Sequence, residues 1–170
     1  MTTRLEVFSI ESLDAEERSE AAISALLGVA PPAHWPPPFN DAAVRRWFRG
    51  QLQADPLLAP WLGYYIVSAV AGRDTLVGMA GFKGPPDAAG TVEIGYSLVD
   101  AYHRRGIGSA AVGLLVQKAF ADPRVRLVRA ETPEDFSGSR GLLEKCGFAL
   151  AGRRSDPEDG ALVVYEIRRN

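Results

Sequence analysis

The chain has 170 residues, 46% of them hydrophobic, with 19 basic against 21 acidic side chains and a formal net charge of −2. That length and apolar content predict one domain, 1–170, with its own core, and the near-neutral charge removes any general electrostatic reason to expect nucleic acid or an anionic membrane as partner. The lone cysteine, Cys146, rules out an internal disulfide and fits a reducing cytoplasm; no apolar run reaches bilayer-spanning length, and Met1-Thr2-Thr3-Arg4-Leu5-Glu6 does not read as a signal peptide.

In chain order, Arg4 to Ile10 reads as a strand. Ser12 or Asp14 can cap a helix to roughly Leu27, with Ala15, Ala22, Ile23, Leu26 and Leu27 supplying apolar surface. The proline-dense stretch from Ala30 to Phe39 cannot be helix interior or central strand. Asn40 or Asp41 caps a second helix to about Leu52, which Pro56 to Pro60 break. Tyr64 to Ala71, Thr75 to Lys83 and Thr91 to Val99 read as an antiparallel meander with short turns. An apolar helix follows, Ile107 to Phe120, then a strand over Arg126 to Glu131. A helix over Ser137 to Lys145 stops at Gly147, and Phe148 to Arg153 with Ala161 to Arg168 form a last strand pair. The sum is one α/β domain.

The junction His103-Arg104-Arg105-Gly106-Ile107-Gly108-Ser109-Ala110-Ala111 carries the most chemistry. Two glycines between strand and helix let bare backbone approach a ligand. The first helical N–H groups lack partners, the helix dipole adds partial positive charge, and Arg104 and Arg105 add full charges. Such a site suits a phosphate or pyrophosphate. On the preceding strand, Val92, Ile94, Tyr96 and Leu98 share one face, and Thr91, Glu93, Gly95, Ser97 and Val99 the other. Glu93 among small neighbours is positioned to line a cleft.

Two phosphate ligands compete. Gly106-Ile107-Gly108-Ser109-Ala110-Ala111 matches the dinucleotide fingerprint G-x-G-x-x-A, with Glu131 at the end of the next strand as a ribose partner. Against it, Asp100 to Arg105 separates strand from glycine, the preceding strands form a meander, and too little chain follows for a doubly wound domain. A Walker loop is excluded because no Gly-Lys-Ser/Thr follows. The other ligand is the pyrophosphate of coenzyme A.

For the second, the loop resembles the Gln/Arg-x-x-Gly-x-Gly/Ala motif of the GNAT superfamily of N-acetyltransferases. Trp35-Pro36-Pro37-Pro38, Trp61 with Tyr64 to Val67, Gly81 to Asp87, Val92 to Ser97, and Leu143 to Phe148 are similar, in order, to the branch that includes the ribosomal-protein N-terminal-alanine acetyltransferases. The resemblance implies a mixed, mostly antiparallel sheet flanked by helices, with a splayed strand pair at the coenzyme. It implies acetyl-CoA as co-substrate, no metal, and a primary amine acceptor (a protein N-terminus, an amino acid or a small amine) attacking directly in a ternary complex. A homodimer stays open. Arg104, Arg105, Gly106, Ile107, Gly108 and Ser109 would wrap the pyrophosphate. Leu98 and Val99 would offer backbone hydrogen bonds to the pantetheine arm, with the N–H of Val99 steadying the oxyanion. Glu93 would be the general base and Ser139 would lie near the coenzyme.

The chain departs from that pattern in three places. His103 stands where Gln or Arg is usual. Phe136 replaces an asparagine, whose polar role is lost or shifted to Asp135 or Ser137, and Leu143 replaces the tyrosine that often protonates the departing thiolate. Those losses keep a second reading alive, a coenzyme A-binding sensing module with little or no transfer. Glu93 also reads as a strand acid paired with Lys83 or an arginine, His34 and His103 as surface histidines, Cys146 as a buried structural thiol, and Ser139 as a helix cap or bridge.

Overall fold

The computed structural model describes residues 2–170. Its strands are β1 (Thr3–Val7), β2 (Gly63–Val70), β3 (Arg73–Phe82), β4 (Thr91–Leu98), β5 (Leu127–Pro133), β6 (Ala149–Asp156) and β7 (Gly160–Arg168). Its α-helices are α1 (Ile10–Arg18), α2 (Glu20–Leu27), α3 (Ala42–Ala54), α4 (Ile107–Ala121) and α5 (Ser137–Lys145). The seven strands form one sheet in the order β1-β2-β3-β4-β5-β7-β6. Every neighbouring pair is antiparallel except β4 and β5, which α4 connects as a parallel crossover.

The N-terminal helix expected as one piece is two. Ser9 and Ser12 form a reciprocal capping box that starts α1 at Ile10, ahead of the expected caps. Ser19, extended at φ −176°, ends α1 and caps α2 through Ala22 N–H. Of the two candidates for the next cap, Asp41 does the work and accepts from the N–H groups of Ala43 and Val44. The Pro56–Trp61 break is itself a turn of 3₁₀ helix.

Two apolar cores sit on opposite faces of the sheet. On one face Ile94, Ile107, Leu115, Leu143 and Tyr165 pack beneath α4 and α5. On the other Phe8, Leu13, Ile23, Tyr65 and Met79 pack beneath α1–α3. Each fully buried large aliphatic contributes ~1.5–3 kcal/mol. Helices α1–α3 lie over the β1–β3 half of their face, so the β4–β6 half carries mostly charged and small side chains. Among the described residues, no helix is long and apolar enough to cross a membrane.

Candidate active site

The sheet forks in its middle. Pairing of β4 with β5 runs from Thr91↔Leu127 to Ile94↔Ala130 and stops there. Beyond that point β4 stays on β3, as far as Gly78↔Leu98, while β5 stays on β7, as far as Pro133↔Leu162. The ladder's phase decides which backbone groups face the opening. The N–H of Lys83 donates to Glu93 O at 2.9 Å, and the N–H of Val99 donates to Val77 O at 3.0 Å. Odd-numbered residues of β4 therefore bond to β3, and Tyr96 and Leu98 turn their polar groups into the fork. The Val99 N–H, expected to meet an oxyanion, is spent on Val77 O of β3. The Leu98 N–H faces the opening instead. The Leu98 carbonyl is met by His103 Nε2 at 3.1 Å, which requires the proton on that nitrogen.

Helices α4 and α5 both begin at this fork, and neither has a side-chain cap. In α4 the first bond runs from Ala110 N–H to Gly106 O, 3.0 Å, leaving the N–H groups of Ile107, Gly108 and Ser109 without an acceptor in the helix. In α5 the equivalent bond is Arg140 N–H to Phe136 O, 3.1 Å, which leaves those of Gly138 and Ser139. The loop into α4 is held in an uncommon shape, with Arg104 at φ 58° and Gly106 at φ 78°. A non-glycine residue there costs ~1–3 kcal/mol, and such strain clusters at ligand-binding turns. Arg104 and Arg105 are exposed beside it, Arg105 resting 5.9 Å from the Tyr102 ring. Gly108 serves packing as well: a Cβ there would stand 2.6 Å from Leu142 Cδ1. The loop residues expected to hold an anion are thus brought together at one positively polarised mouth.

Ser139 sits in the first turn of α5, with its hydroxyl 2.8 Å from the hydroxyl of Tyr96. Burial pushes the Tyr96 phenol up to about 12, so it keeps its proton across neutral pH. Leu143, one turn later, is fully buried in the core. Cys146 packs with its Sγ 3.6 Å from Ser109 O, and burial raises its thiol above the ordinary range. Tyr96 is the residue that sequence reasoning missed. Its alternation placed it on one face with Val92, Ile94 and Leu98, but nothing local revealed that it would meet a serine 43 positions away.

On the opposite face Glu93, Gly95 and Ser97 line β4 as expected. A Cβ at Gly95 would meet nothing within 4 Å, so this strip is open. Glu93 is three-quarters buried and its carboxylate is ion-paired with Lys83. Beyond it the charges alternate across the sheet. Arg129, in register with Glu93, holds Glu166 at 2.7 Å, and Arg154 holds Glu131 at 2.6 Å and Asp156 at 3.0 Å. The bond from Arg154 keeps the Glu131 carboxyl below its usual range and occupies the oxygens that a ribose would need. That removes the acid on which the dinucleotide reading relied. Among the described residues, no group of three or more His, Cys, Asp or Glu is placed to hold a metal ion.

The family model described as "Acetyltransferase (GNAT) domain" matches residues 9–149, and the chain belongs to that family of acetyltransferases. It is similar to the uncharacterised N-acetyltransferase YjdG of Bacillus subtilis (strain 168), 30% identical over 149 residues and 86% of each chain. Its fold is similar to that of RimL, a ribosomal-protein alpha-N-acetyltransferase solved with coenzyme A (TM-score 0.67, 17% identity, 99% of this chain and 94% of that one). It is also similar to that of the microcin C7 self-immunity acetyltransferase MccE, solved with acetyl-CoA and AMP (TM-score 0.67, 17% identity, 98% and 92%).

Proposed function

We propose that the whole chain, 1–170, is one catalytic domain that moves the acetyl group of acetyl-CoA to a primary amine of a protein N-terminus, an amino acid or a small molecule. The observation that carries this reading is the fork: two uncapped helix N-termini and a strained basic loop converge on strand backbone that has no partner strand. The uncapped N–H groups of α4, with Arg104 and Arg105, take the pyrophosphate. The free backbone of Tyr96 takes the pantetheine arm, next to the Leu98 N–H, and Ser139 lies beside it. The relatives solved with coenzyme A or acetyl-CoA support the same donor.

The amine approaches over the open strip at Gly95. It attacks as the free base, and Glu93 removes or relays its proton. The nitrogen–carbon bond forms as charge collects on the carbonyl oxygen, which the Leu98 N–H receives. The carbon–sulfur bond then breaks and the electron pair leaves on sulfur. The Tyr96 hydroxyl supplies the sulfur's proton, and through Ser139 and solvent it regains one equivalent to that lost by the amine. Tyr96 thus answers for the tyrosine absent at position 143.

A second reading is a coenzyme A-binding module without transfer. The ion pair that already engages Glu93 with Lys83 favours it. Thermal shift with acetyl-CoA, coenzyme A and NAD, followed by thiol release over a panel of amines and Ala- or Ser-starting peptides, separates the two. Coenzyme A stabilisation with amine-dependent thiol release supports the transferase. Stabilisation without release across the panel supports the module, and stabilisation by NAD alone contradicts both.

A further inference from the structure

One buried acid takes no part in the steps above. Glu16, on α1, has a side chain only 1% exposed, yet it faces three neutral donors. Its Oε1 accepts from Trp35 Nε1 at 3.0 Å and from Asn40 Nδ2 at 2.7 Å, and its Oε2 accepts from the Tyr65 hydroxyl at 2.8 Å. Arg45 Nη1 stands 4.0 Å away and donates to the Asn40 carbonyl at 2.9 Å. A buried carboxylate is costly unless hydrogen-bonded, and hydrogen bonds to a charge are the strong kind.

What this carboxylate ties together is telling. Trp35 belongs to the proline-dense loop, Asn40 follows directly at its end, and Tyr65 belongs to the sheet. Tyr65 is in register with Met79, and Met79 with Ser97, so the clip acts on the face that carries Glu93, Gly95 and Ser97. Farther back, the same loop is held by Ala33 N–H donating to the Tyr102 hydroxyl at 3.0 Å, between β4 and the glycine loop. The loop is therefore tied to the sheet at Tyr65, through Glu16, and to Tyr102 just past the end of β4.

We propose that Glu16 is a positioning residue for the acceptor: by gripping Trp35 and Asn40 it sets the wall of the 31–40 loop along the open face of β4, and so governs amine binding without touching the donor site. This rests on the transferase reading given above. The loop's Trp35 packs against both cores, so the orientation of its indole is coupled to that of the loop.

Steady-state kinetics of Glu16→Leu, Glu16→Gln and Trp35→Phe, with acetyl-CoA binding and amide hydrogen exchange alongside, test it. Glu16→Leu leaves three buried donors unpaired and should raise KM for the amine about tenfold, with kcat and acetyl-CoA Kd within about twofold. Glu16→Gln can still accept from Trp35 and Asn40 and donate to Tyr65, so it should hold KM within about threefold of the parent. Trp35→Phe should raise KM in the same direction and, combined with Glu16→Leu, add nothing further. Should Glu16→Leu fail to fold, Trp35→Phe against Glu16→Gln carries the same contrast. Exchange should quicken at residues 33–41 in Glu16→Leu or Trp35→Phe and stay unchanged at the start of α4. An unchanged KM, or a KM rise matched by lost acetyl-CoA affinity, overturns the proposal. If the parent protein transfers to no amine, the transferase reading fails and the acceptor role with it. Exchange would then show only whether Glu16 grips the loop.

Discussion

The helices before β2 and the helices after β4 begin in opposite ways. Helices α1, α2 and α3 each satisfy their first turn from within, through Ser9, Ser19 and Asp41. Helices α4 and α5 leave theirs bare, although both are packed into the larger core. The contrast teaches where this fold keeps binding capacity. In the proposed transferase the N-terminal layer uses its local hydrogen bonds for stability, and the fork keeps its own for coenzyme A. Variants in the two regions should accordingly separate into those that change stability and those that change binding or turnover.

The largest effect belongs to the fork. Glu93→Gln should lower kcat by about a hundredfold or more while acetyl-CoA affinity holds. Unaltered turnover at saturating amine would leave Glu93 as no more than the partner of Lys83. Tyr96→Phe should cost about tenfold to a hundredfold in kcat, again with unchanged donor binding. The same variant has a signature in stability. The folded phenol is raised from 10.0 to about 12, so the folded state holds that proton better than the unfolded one. Its contribution is full below the unfolded value and is lost as pH rises from 10 toward 12. Urea melts through that window should show a shallower alkaline decline for Tyr96→Phe than for the parent.

Next comes the loop. Arg104→Ala with Arg105→Ala should weaken coenzyme A about tenfold to a hundredfold, less at high salt, with little change in melting temperature. A large loss of stability instead would mean that the arginines hold the turn and not an anion. Restoring a tyrosine by Leu143→Tyr should overpack the core by ~1–3 kcal/mol and gain no turnover, because that position is fully buried. The smallest effect is the control in the other region. Ser9→Ala removes the cap of α1 and should cost ~1 kcal/mol. That corresponds to roughly 2–4 °C in Tm for a chain of this size. Its coenzyme A affinity should match the parent's, and a parallel fall in affinity would erase the distinction between the regions.

Much of the fold was legible from local pattern. Helix α5 was readable end to end because Gly147, at φ 88°, stops it, and the meander was readable because proline and glycine turns separate alternating strands. The N-terminal helix was misjudged because Ser9 read as a strand residue and Ser19 as a helix residue until their cap bonds are seen. At the site, the glycine loop and the small face of β4 were visible as motifs. The phase of the ladder was not, since whether Leu98 or Val99 faces the fork depends on pairing with β3. The Tyr96–Ser139 contact and the Glu16 clip join residues far apart in the chain, so no local pattern could announce them.

Amide hydrogen exchange of the parent protein, with and without coenzyme A, tests the contrast most directly. The account predicts that coenzyme A slows exchange at Ile107, Gly108 and Ser109, at Gly138 and Ser139, and at Tyr96 and Leu98, and leaves the first turns of α1, α2 and α3 unchanged. Protection spread evenly over all five helices, or none at the fork, would contradict it.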